Sequence, residues 1–418
     1  MKLAEYDAQK RISELNTRFA SQSNLRQRIG RAGRVQCGEY YSLLSKSRVA
    51  RFPYSHVPEL LRKDLQSTIL LLKSMNVGFV KPFLTRAIEP PRIENISAAI
   101  SDLHSLGALT IDENRTILGK ILSDLSVDPW IGKLLIHGVM FKCLDPILTI
   151  AALFNEKSIF FLGSPETRGR TRAEIQKTFG SSLCDELTAL TAFNESRRNG
   201  FNQAYNYANN ISYTVVSKVL KCRKQLLEQL QKKGVLSNSH GSFDGGPNLN
   251  VNSSNESLIV ALLNSAFYPN ISECIDTHRY YKSISRVGKL PERLQLSSLK
   301  LIKRNGEDIS QIPRYLCFQE KASLDGRMVM RNVSVCNFYA LAVLTNSSFN
   351  RVGNHYCLDG WIQLDRDENQ VKGLLKIREA LSICMENVMS GKQNENDEIL
   401  IDYVVNLLGH NPPAYLDV

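Results

Sequence analysis

The chain has 418 residues, of which 43% are hydrophobic and 22% charged. These values exclude a largely disordered chain, and the length predicts roughly two to four domains. No uncharged apolar run approaches the roughly 18 residues that a membrane helix needs, and the N-terminus lacks the apolar core of a secretory signal. We therefore expect an intracellular protein, in the cytoplasm or nucleus, with no membrane partner.

The positive charge is concentrated in two segments. Lys and Arg number 52 against 41 Asp and Glu, a net charge of +11. Residues 1–50 hold 10 basic and 4 acidic side chains, residues 277–331 hold 12 and 5, and the remainder sums to −2. Two basic segments on a near-neutral body favour a polyanionic partner such as nucleic acid. A solvated basic surface is the alternative.

The nine cysteines are scattered and form no CxxC pair or zinc-ligand spacing. Such a pattern, without a secretory signal, predicts reduced and mostly buried thiols. The histidines His137, His240 and His410 show no metal-ligand or catalytic-triad spacing, so we expect structural or solvent-facing roles for them. No bound metal is predicted.

The residues from 55 to 122 have the order helix, helix, short hairpin. A first helix is predicted from apolar residues at helical spacing: Leu61, Leu65, Ile69 and Leu72. A second helix is predicted from about Glu94 to a C-terminal glycine, Gly107. Residues 108–117 hold two short apolar runs around a polar turn, and the whole order is typical of a winged helix.

The pattern is almost entirely helical from Pro129 to Gly234. Residues 237–257 are rich in Gly, Asn and Ser and predict a flexible linker or a long loop. Short β-branched and aromatic runs follow, and the dipeptide Asp325-Gly326 predicts a two-residue hairpin turn. About five short strands with basic turns suggest a small β-barrel of the oligonucleotide-binding (OB) type. Helical spacing returns from Asp367.

The sharpest local signal is the octapeptide Gln27-Arg-Ile-Gly-Arg-Ala-Gly-Arg34. Glycine lets the backbone approach a ligand closely, and guanidinium is a planar donor that fits phosphate oxygens. Arginines placed at a transferring phosphoryl group stabilise the charge of the transition state, with effects of roughly 10³–10⁵ in rate. An RG-type RNA-binding patch is the alternative.

This octapeptide resembles motif VI of the DEAH-box RNA helicases, which has the pattern QRxGRAGR. Three further stretches resemble the same family: residues 58–67, Leu118-Gly119, and Val127-Asp-Pro-Trp-Ile-Gly-Lys133. The insert at 167–173 and the OB pattern look closest to the RNA helicase A and G-quadruplex-resolving subgroup. At Cys184-Asp-Glu-Leu187 the chain departs from the family's Ser-Asp-His-Leu.

The resemblance implies a role for each residue of the motif. It places Gln27 near the γ-phosphate and attacking water, and makes Arg31 and Arg34 the arginine fingers. Arg28 is expected to form a structural or inter-domain pair, while Gly30 and Gly33 let the ATP-binding loop fit the nucleotide cleft. Arg26 lies outside the pattern and is expected to be solvated.

The resemblance also implies a fold class: a multidomain, mainly α protein with a small β-barrel. The expected parts are the remnant of a second RecA-like lobe (1–50), a winged helix (51–122), a helical ratchet bundle (123–236), a linker (237–257), and an OB-fold with C-terminal helices (258–418). The RNA-binding residues expected on the last strands and the ratchet are Arg286, Lys289, Lys300, Lys303, Arg304 and Arg170. Tyr280 and Tyr281 are either base-stacking or core residues, and Arg168, Arg170 and Arg172 either reach RNA from a ratchet loop or are solvated.

The chain contains neither the phosphate loop GxxxxGK[ST] nor Asp-Glu-Ala-His. We therefore expect the C-terminal portion of an ATP-dependent 3′-to-5′ RNA helicase, which is inactive alone and uses ATP and Mg²⁺ only together with the missing RecA lobes. Activator proteins are possible partners at the OB domain. The alternative is a non-enzymatic RNA-binding or partner-binding adaptor, and a winged-helix DNA-binding regulator is a third interpretation that leaves motif VI unexplained.

Overall fold

The structure is a computed structural model, and it describes most of the chain. The described residues are 2–7, 12–156, 158–164, 166–181, 183–236, 243–274, 280–283, 292–296, 313–324, 327–353, 355–364 and 367–409. They divide into two compact units, residues 1–65 with 77–99 and residues 66–76 with 100–418. No helix among the described residues is long and apolar enough to cross a membrane.

The elements up to residue 106 are a β-hairpin and a series of short helices. They are β1 (Lys2–Asp7), β2 (Ile12–Thr17), α1 (Gln22–Ile29), α2 (Lys46–Ala50), α3 (Glu59–Arg62), α4 (Gln66–Ser74), α5 (Val80–Leu84) and α6 (Ile93–Leu106). The strands β1 and β2 are antiparallel, with Lys2 opposite Thr17 and Asp7 opposite Ile12. The helix α6 ends at Gly107, as predicted, and a φ of +86° at this residue favours glycine.

The single helix predicted over Leu61–Leu72 is wrong. The chain leaves helical geometry at Lys63, which has extended backbone angles, and α3 and α4 are separate helices. Leu65 and Ile69 are buried as the apolar spacing requires, while Leu61 and Leu72 are half-buried. The apolar spacing therefore identified the core residues but not the break between them.

Helices α7 to α13 form the bundle between residues 117 and 232. They are α7 (Ile117–Asp124), α8 (Pro129–Met140), α9 (Leu144–Phe154), α10 (Arg168–Phe179), α11 (Asp185–Arg198), α12 (Gln203–Ala208) and α13 (Tyr213–Lys232). Leu109 and Arg115 form an antiparallel bridge before α7, the position of the predicted hairpin. A Cβ at Gly119 would lie 2.0 Å from the carbonyl oxygen of Ala108, so only glycine allows α7 to approach this closely.

Four helices after residue 255 complete the mainly helical second unit. They are α14 (Glu256–Phe267), α15 (Phe338–Leu344), α16 (Glu368–Met389) and α17 (Glu395–Gly409). The helix α14 is buried along most of its length and packs against α8, α15 and α17. One hydrophobic cluster runs from Leu125 to Leu408, so the helices on both sides of residues 237–257 share a core.

Short polar side chains set the starts of most of these helices. Thr116, Ser212 and Asn255 accept a hydrogen bond from a backbone N–H in the first turn of α7, α13 and α14. Asp367 and Gln370 form a reciprocal capping box at the start of α16, where helical spacing was predicted to return. These caps satisfy N–H groups that have no partner within the helix.

Among the described residues, eight strands follow α14. They are β3 (Ile271–Cys274), β4 (Tyr280–Ser283), β5 (Glu292–Leu296), β6 (Tyr315–Leu324), β7 (Arg327–Val335), β8 (Phe349–Val352), β9 (His355–Leu358) and β10 (Ile362–Leu364). The first five pair in the order β3-β4-β5-β7-β6, and β6 pairs back with β3. The β5–β7 pairing is parallel and the others are antiparallel. Leu324 lies opposite Arg327, which is the register of the predicted two-residue hairpin.

The segment expected to be a flexible linker or a long loop is a fixed loop where the structure describes it. The backbone N–H of Asp145 donates to Asn250 at 2.7 Å, and the Asn252 amide donates to the carbonyl oxygen of Phe141 at 3.0 Å. The backbone N–H of Asn252 also donates to the carbonyl oxygen of Lys142 at 2.8 Å. Residues 243–255 are therefore not a flexible linker, because asparagine side chains bind them to the helices of the bundle.

Candidate functional site

The arginine motif spans the last turn of α1 and the loop after it. Gly30 ends the helix, and its N–H donates to the carbonyl oxygen of Arg26 at 3.0 Å. The next N–H groups, of Arg31 and Ala32, each donate three residues back at 3.1 Å, which tightens the turn. Gly33 has a φ of +84°, a conformation that favours glycine, while Gly30 is helical and has no such need in this structure.

The predicted phosphate-contacting side chains are all exposed: Gln27, Arg28, Arg31 and Arg34. None of the four forms a side-chain hydrogen bond or ion pair with another described residue. Gln27 lies in the last turn of α1, and Arg31 lies in the turn that follows the C-cap residue Gly30. The structural pairing expected for Arg28 is not seen among the described residues. The arrangement offers planar, charged donors to an anionic ligand.

The start of α1 is fixed by residues 52–56. The N–H groups of Ser21, Gln22 and Ser23 donate to the Nε2 atom of His56 and the carbonyl oxygens of Pro53 and Tyr54, at 3.0, 3.0 and 2.9 Å. A fourth N–H, of Asn24, donates to the side chain of Ser21. The amide of Gln22 adds a bond of 2.8 Å to the carbonyl oxygen of Phe52. The backbone of α1 is therefore held firmly at the end opposite the motif.

Arg26 is exposed, as expected, but it is not simply solvated. Its Nη1 atom lies 3.4 Å from the hydroxyl of Tyr54, and its guanidinium carbon lies 5.7 Å from the centre of the Tyr54 ring. A cation over an aromatic ring is attracted to the negative face of the ring. Arg26 thus adds a side-chain contact to the attachment of α1.

The predicted RNA-binding residues are only partly described. Arg286, Lys289, Lys300, Lys303 and Arg304 lie outside the described residues. The side chains of Tyr280 and Tyr281, on β4, are not described either. Arg168, Arg170 and Arg172 are exposed and lie on the helix α10, not on the loop that was expected.

A partly buried ion cluster lies in the helical bundle. Arg223, with 1% of its side chain exposed, donates to the Asp145 carboxylate at 2.6 Å, and Arg197 donates to the same carboxylate at 3.1 Å. The ring of Phe243 lies 4.5 and 4.6 Å from the two guanidinium carbons. Burial lowers the pKa of Arg223, and the Asp145 charge opposes that effect. The cluster ties the loop after residue 242 to α9, α11 and α13.

A second buried group surrounds Lys133 on α8. Its ammonium donates to the carbonyl oxygen of Leu344 at 2.8 Å. Burial, with a smaller effect from the Arg378 charge, lowers the pKa of Lys133 to about 7. His137, one turn away, lies 3.1 Å from the hydroxyl of Ser265, and burial lowers its pKa well below the usual range. Both residues face the protein interior, which gives them a structural role.

The departure at Cys184–Leu187 lies where α11 begins beside β7. The backbones of Cys184 and Ser334 form an isolated antiparallel β-bridge. The side chain of Asp185 accepts a hydrogen bond from the backbone N–H of Val333 at 3.1 Å. Glu186 is only 6% exposed, and neither of its carboxyl oxygens has a hydrogen-bond partner among the described residues. Burial, and then the Asp185 charge, raise the pKa of Glu186 to about 8.

A cavity of about 690 Å³ lies along α13. Its charged lining combines Lys218 and Lys221 with Asp128 and Glu156, and Lys218 pairs with Glu156 at 3.1 Å. Nucleic-acid sites carry an excess of positive charge, so this balanced lining does not fit a polyphosphate backbone. Among the described residues there is also no cluster of three or more potential metal ligands.

Sequence reasoning missed the residues that hold these groups in place. The pairing of Asp145 with Arg223 joins positions 78 residues apart, and no local pattern predicts it. The sequence shows that Glu186 departs from the family pattern, but no local pattern predicts that its side chain is buried. The contact between His56 and Ser21 spans 35 residues and has no spacing signal either.

Comparison with known proteins assigns part of the chain to a family. Residues 128–208 match the family described as "Helicase associated domain (HA2), ratchet-like". The "ATP-dependent DNA/RNA helicase DHX36" of Homo sapiens is 34% identical over 277 residues, which cover 65% of the chain and 27% of DHX36. The "DExH-box ATP-dependent RNA helicase DExH1" of Arabidopsis thaliana is 29% identical over 391 residues, which cover 90% of the chain and 37% of DExH1.

A further relative is the "Putative ATP-dependent RNA helicase DHX57" of Homo sapiens, 33% identical over 299 residues, or 65% of the chain and 21% of DHX57. The aligned regions thus span between 21% and 37% of these three relatives. The ratchet-like match and the relatives together support the similarity of the chain to the C-terminal part of DEAH-box RNA helicases.

Proposed function

We propose that this chain supplies the motif VI arginines and the auxiliary RNA-holding domains of an ATP-dependent 3′-to-5′ RNA helicase. The observation that carries the proposal is the loop after α1, where exposed arginines that have no partner in the described part of the chain follow an anchored helix. The names of the relatives, which describe ATP-dependent RNA helicases, support it.

Within that enzyme, Gln27 orients the attacking water, and Arg31 and Arg34 stabilise the charge that develops on the γ-phosphate. Arg28, Gly30 and Gly33 shape the ATP-binding loop. ATP and Mg²⁺ bind to the complete helicase, and the chain alone is inactive because the phosphate loop and the Mg²⁺-binding carboxylates come from the missing RecA lobes.

The auxiliary parts keep the assignments made from the sequence. Residues 51–122 are the winged helix and residues 123–236 the ratchet, and the five strands from β3 to β7 belong to an OB-fold that offers a docking surface to activators. The pairing order β3-β4-β5-β7-β6, with β5 parallel to β7, supports the OB assignment. The RNA-contacting residues are Arg286, Lys289, Lys300, Lys303, Arg304 and Arg170.

The experiment that tests the ATP site is RNA-stimulated ATPase activity of the complete helicase carrying Arg31→Gln or Arg34→Gln. Each variant is expected to lose about 10³-fold in kcat, the magnitude typical of an arginine finger. Lys46→Gln, an exposed change outside the motif, is the control. Equal activity of the variants and the control would remove the arginine-finger assignment.

Two further measurements separate the helicase from the adaptor. Sequencing the transcript upstream of Met1 is expected to reveal a phosphate loop and a DEAH-like motif in the same frame. RNA affinity of the chain is expected to fall linearly on a logarithmic salt scale, with a smaller slope for Arg170→Gln. A stop codon before Met1, together with retained RNA binding, would favour the adaptor.

A further inference from the structure

The helix α1 has little hydrophobic attachment of its own. Leu25 is its one buried side chain, and the helix is only eight residues long. An isolated helix of this length is unstable in water, so its position depends on contacts with the rest of the chain. Among the described residues, those contacts are concentrated at its N-terminal end.

The contacts at that end satisfy every N–H group that a helix start leaves without a partner. His56 and the carbonyl oxygens of Pro53 and Tyr54 take three of them, and Ser21 takes the fourth. We call residues Phe52–His56 the α1 anchor. Its rings and carbonyls also hold neighbouring side chains, since Phe52 stacks on Phe19 at 5.2 Å and accepts the Gln22 amide.

His56 is the one side chain of the anchor that receives a backbone N–H of the helix start. Because Nε2 accepts this hydrogen bond, the ring hydrogen of the neutral imidazole is on Nδ1. His56 also stands three residues before α3, which begins at Glu59. A single residue therefore joins the start of the motif VI helix to the first residues of the proposed winged helix, just before α3.

We propose that His56 is a positioning residue for Arg31 and Arg34, and that the α1 anchor couples the placement of these arginines to the segment entering α3. The helix α1 acts as a rod of about 12 Å, with the anchor at one end and the motif at the other. A small rotation at the anchor displaces the arginines, and transition-state contacts are sensitive to displacements of about 1 Å. This inference rests on the proposed function for its catalytic part, but not for its structural part.

The structural part is tested on the chain itself by hydrogen exchange of residues 21–34. We expect His56→Ala to speed the exchange of the Ser21, Gln22 and Ser23 amides about tenfold, since each hydrogen bond there shields a local opening. His56→Gln retains an acceptor and is expected to restore most of the protection. Val57→Ala, a change at the neighbouring exposed residue, is the matched control. Unchanged exchange in His56→Ala would overturn the proposal.

The catalytic part is tested in the complete helicase by separating kcat from the KM for RNA. His56→Ala is expected to lower kcat about tenfold and leave the KM for RNA unchanged, with recovery in His56→Gln. Faster exchange without a loss of kcat would show that the anchor is structural only and would overturn the coupling. If Arg31→Gln also leaves kcat unchanged, the proposed function fails, while hydrogen exchange still decides whether the anchor exists. Should His56→Ala fail to fold, Tyr54→Phe and His56→Gln provide the comparison.

Discussion

Two groups of arginines in this chain show opposite uses of the same side chain. Arg197 and Arg223 donate to one carboxylate, Asp145, and Arg223 is buried. Arg31 and Arg34 are exposed and have no partner among the described residues. A guanidinium that donates to a carboxylate inside the protein holds the fold together, whereas one that is exposed on a fixed backbone is available to a ligand. Five substitutions extend this contrast to buried and exposed charged groups in general, and the largest effect is expected inside the bundle.

Asp145→Ala should cost about 3–5 kcal/mol of unfolding free energy, because it leaves the buried Arg223 without its counter-ion. Denaturant unfolding of the chain measures this loss. Glu195→Ala is the matched control, since Glu195 pairs with the exposed Arg198 and such surface pairs contribute only about 0–1 kcal/mol. Similar losses in both variants would show that burial does not distinguish the two kinds of pair.

Glu186→Gln should change how stability depends on pH. A carboxyl group whose pKa is raised to about 8 in the folded protein holds its proton longer than in the unfolded chain, where the value is near 4.5. The stability it contributes is complete below pH 4.5 and is lost as the pH rises towards 8, by about 2–4 kcal/mol in the wild type. The unfolding free energy of Glu186→Gln should lack this decline. Glu174→Gln, at an exposed position of α10, should keep it.

Lys133→Met should remove a pH dependence of the unfolding free energy that has the opposite sign. A lysine whose folded pKa is lowered to about 7 binds fewer protons in the folded than in the unfolded state up to pH 10.5. The wild type should therefore gain about 1–2 kcal/mol over Lys133→Met between pH 7 and 9. Urea unfolding of both proteins across this range measures the difference. A constant difference would mean that Lys133 keeps its charge in the bundle.

Arg31→Gln and Arg34→Gln should have the smallest effect on stability, below about 0.5 kcal/mol each, because exposed and unpaired side chains contribute little to the folded state. Thermal unfolding of the chain checks this expectation. A loss above about 1 kcal/mol would place these arginines in a structural contact and would weaken the contrast with Arg223.

Local patterns predicted the elements that depend on nearby residues. Helix α6 with its terminal Gly107, the return of helix at Asp367 and the Leu324–Arg327 hairpin are each set by spacing, a cap or a turn dipeptide. The separation of α3 from α4 at Lys63 was missed, because the apolar spacing continues across the break. Tertiary packing, not local preference, decides such a case.

The sequence predicts the residues of the candidate site, but not the contacts that hold them in place. The octapeptide itself identifies the arginines of the site. The residues of the α1 anchor lie about 30 positions further along the chain than the helix they hold. The loop 243–255 is a related case, since the sequence left a flexible linker and a long loop open as alternatives. Asparagine and glycine favour turns wherever they occur, and only the bonds to the carbonyl oxygen of Phe141 and the N–H of Asp145 show that these turns are attached to the bundle.

The burial of α14 limits which segments of the second unit can be exchanged between related proteins. Because α14 packs between α8 and α17, the ratchet helices and the residues after position 255 do not form interchangeable modules. A chimaera that joins this ratchet to the C-terminal half of a distant relative would pair mismatched apolar surfaces. Recombination between relatives should therefore exchange residues 117–409 together as one block. In related proteins, substitutions in α14 should be accompanied by substitutions in the residues of α8 and α17 that pack against it.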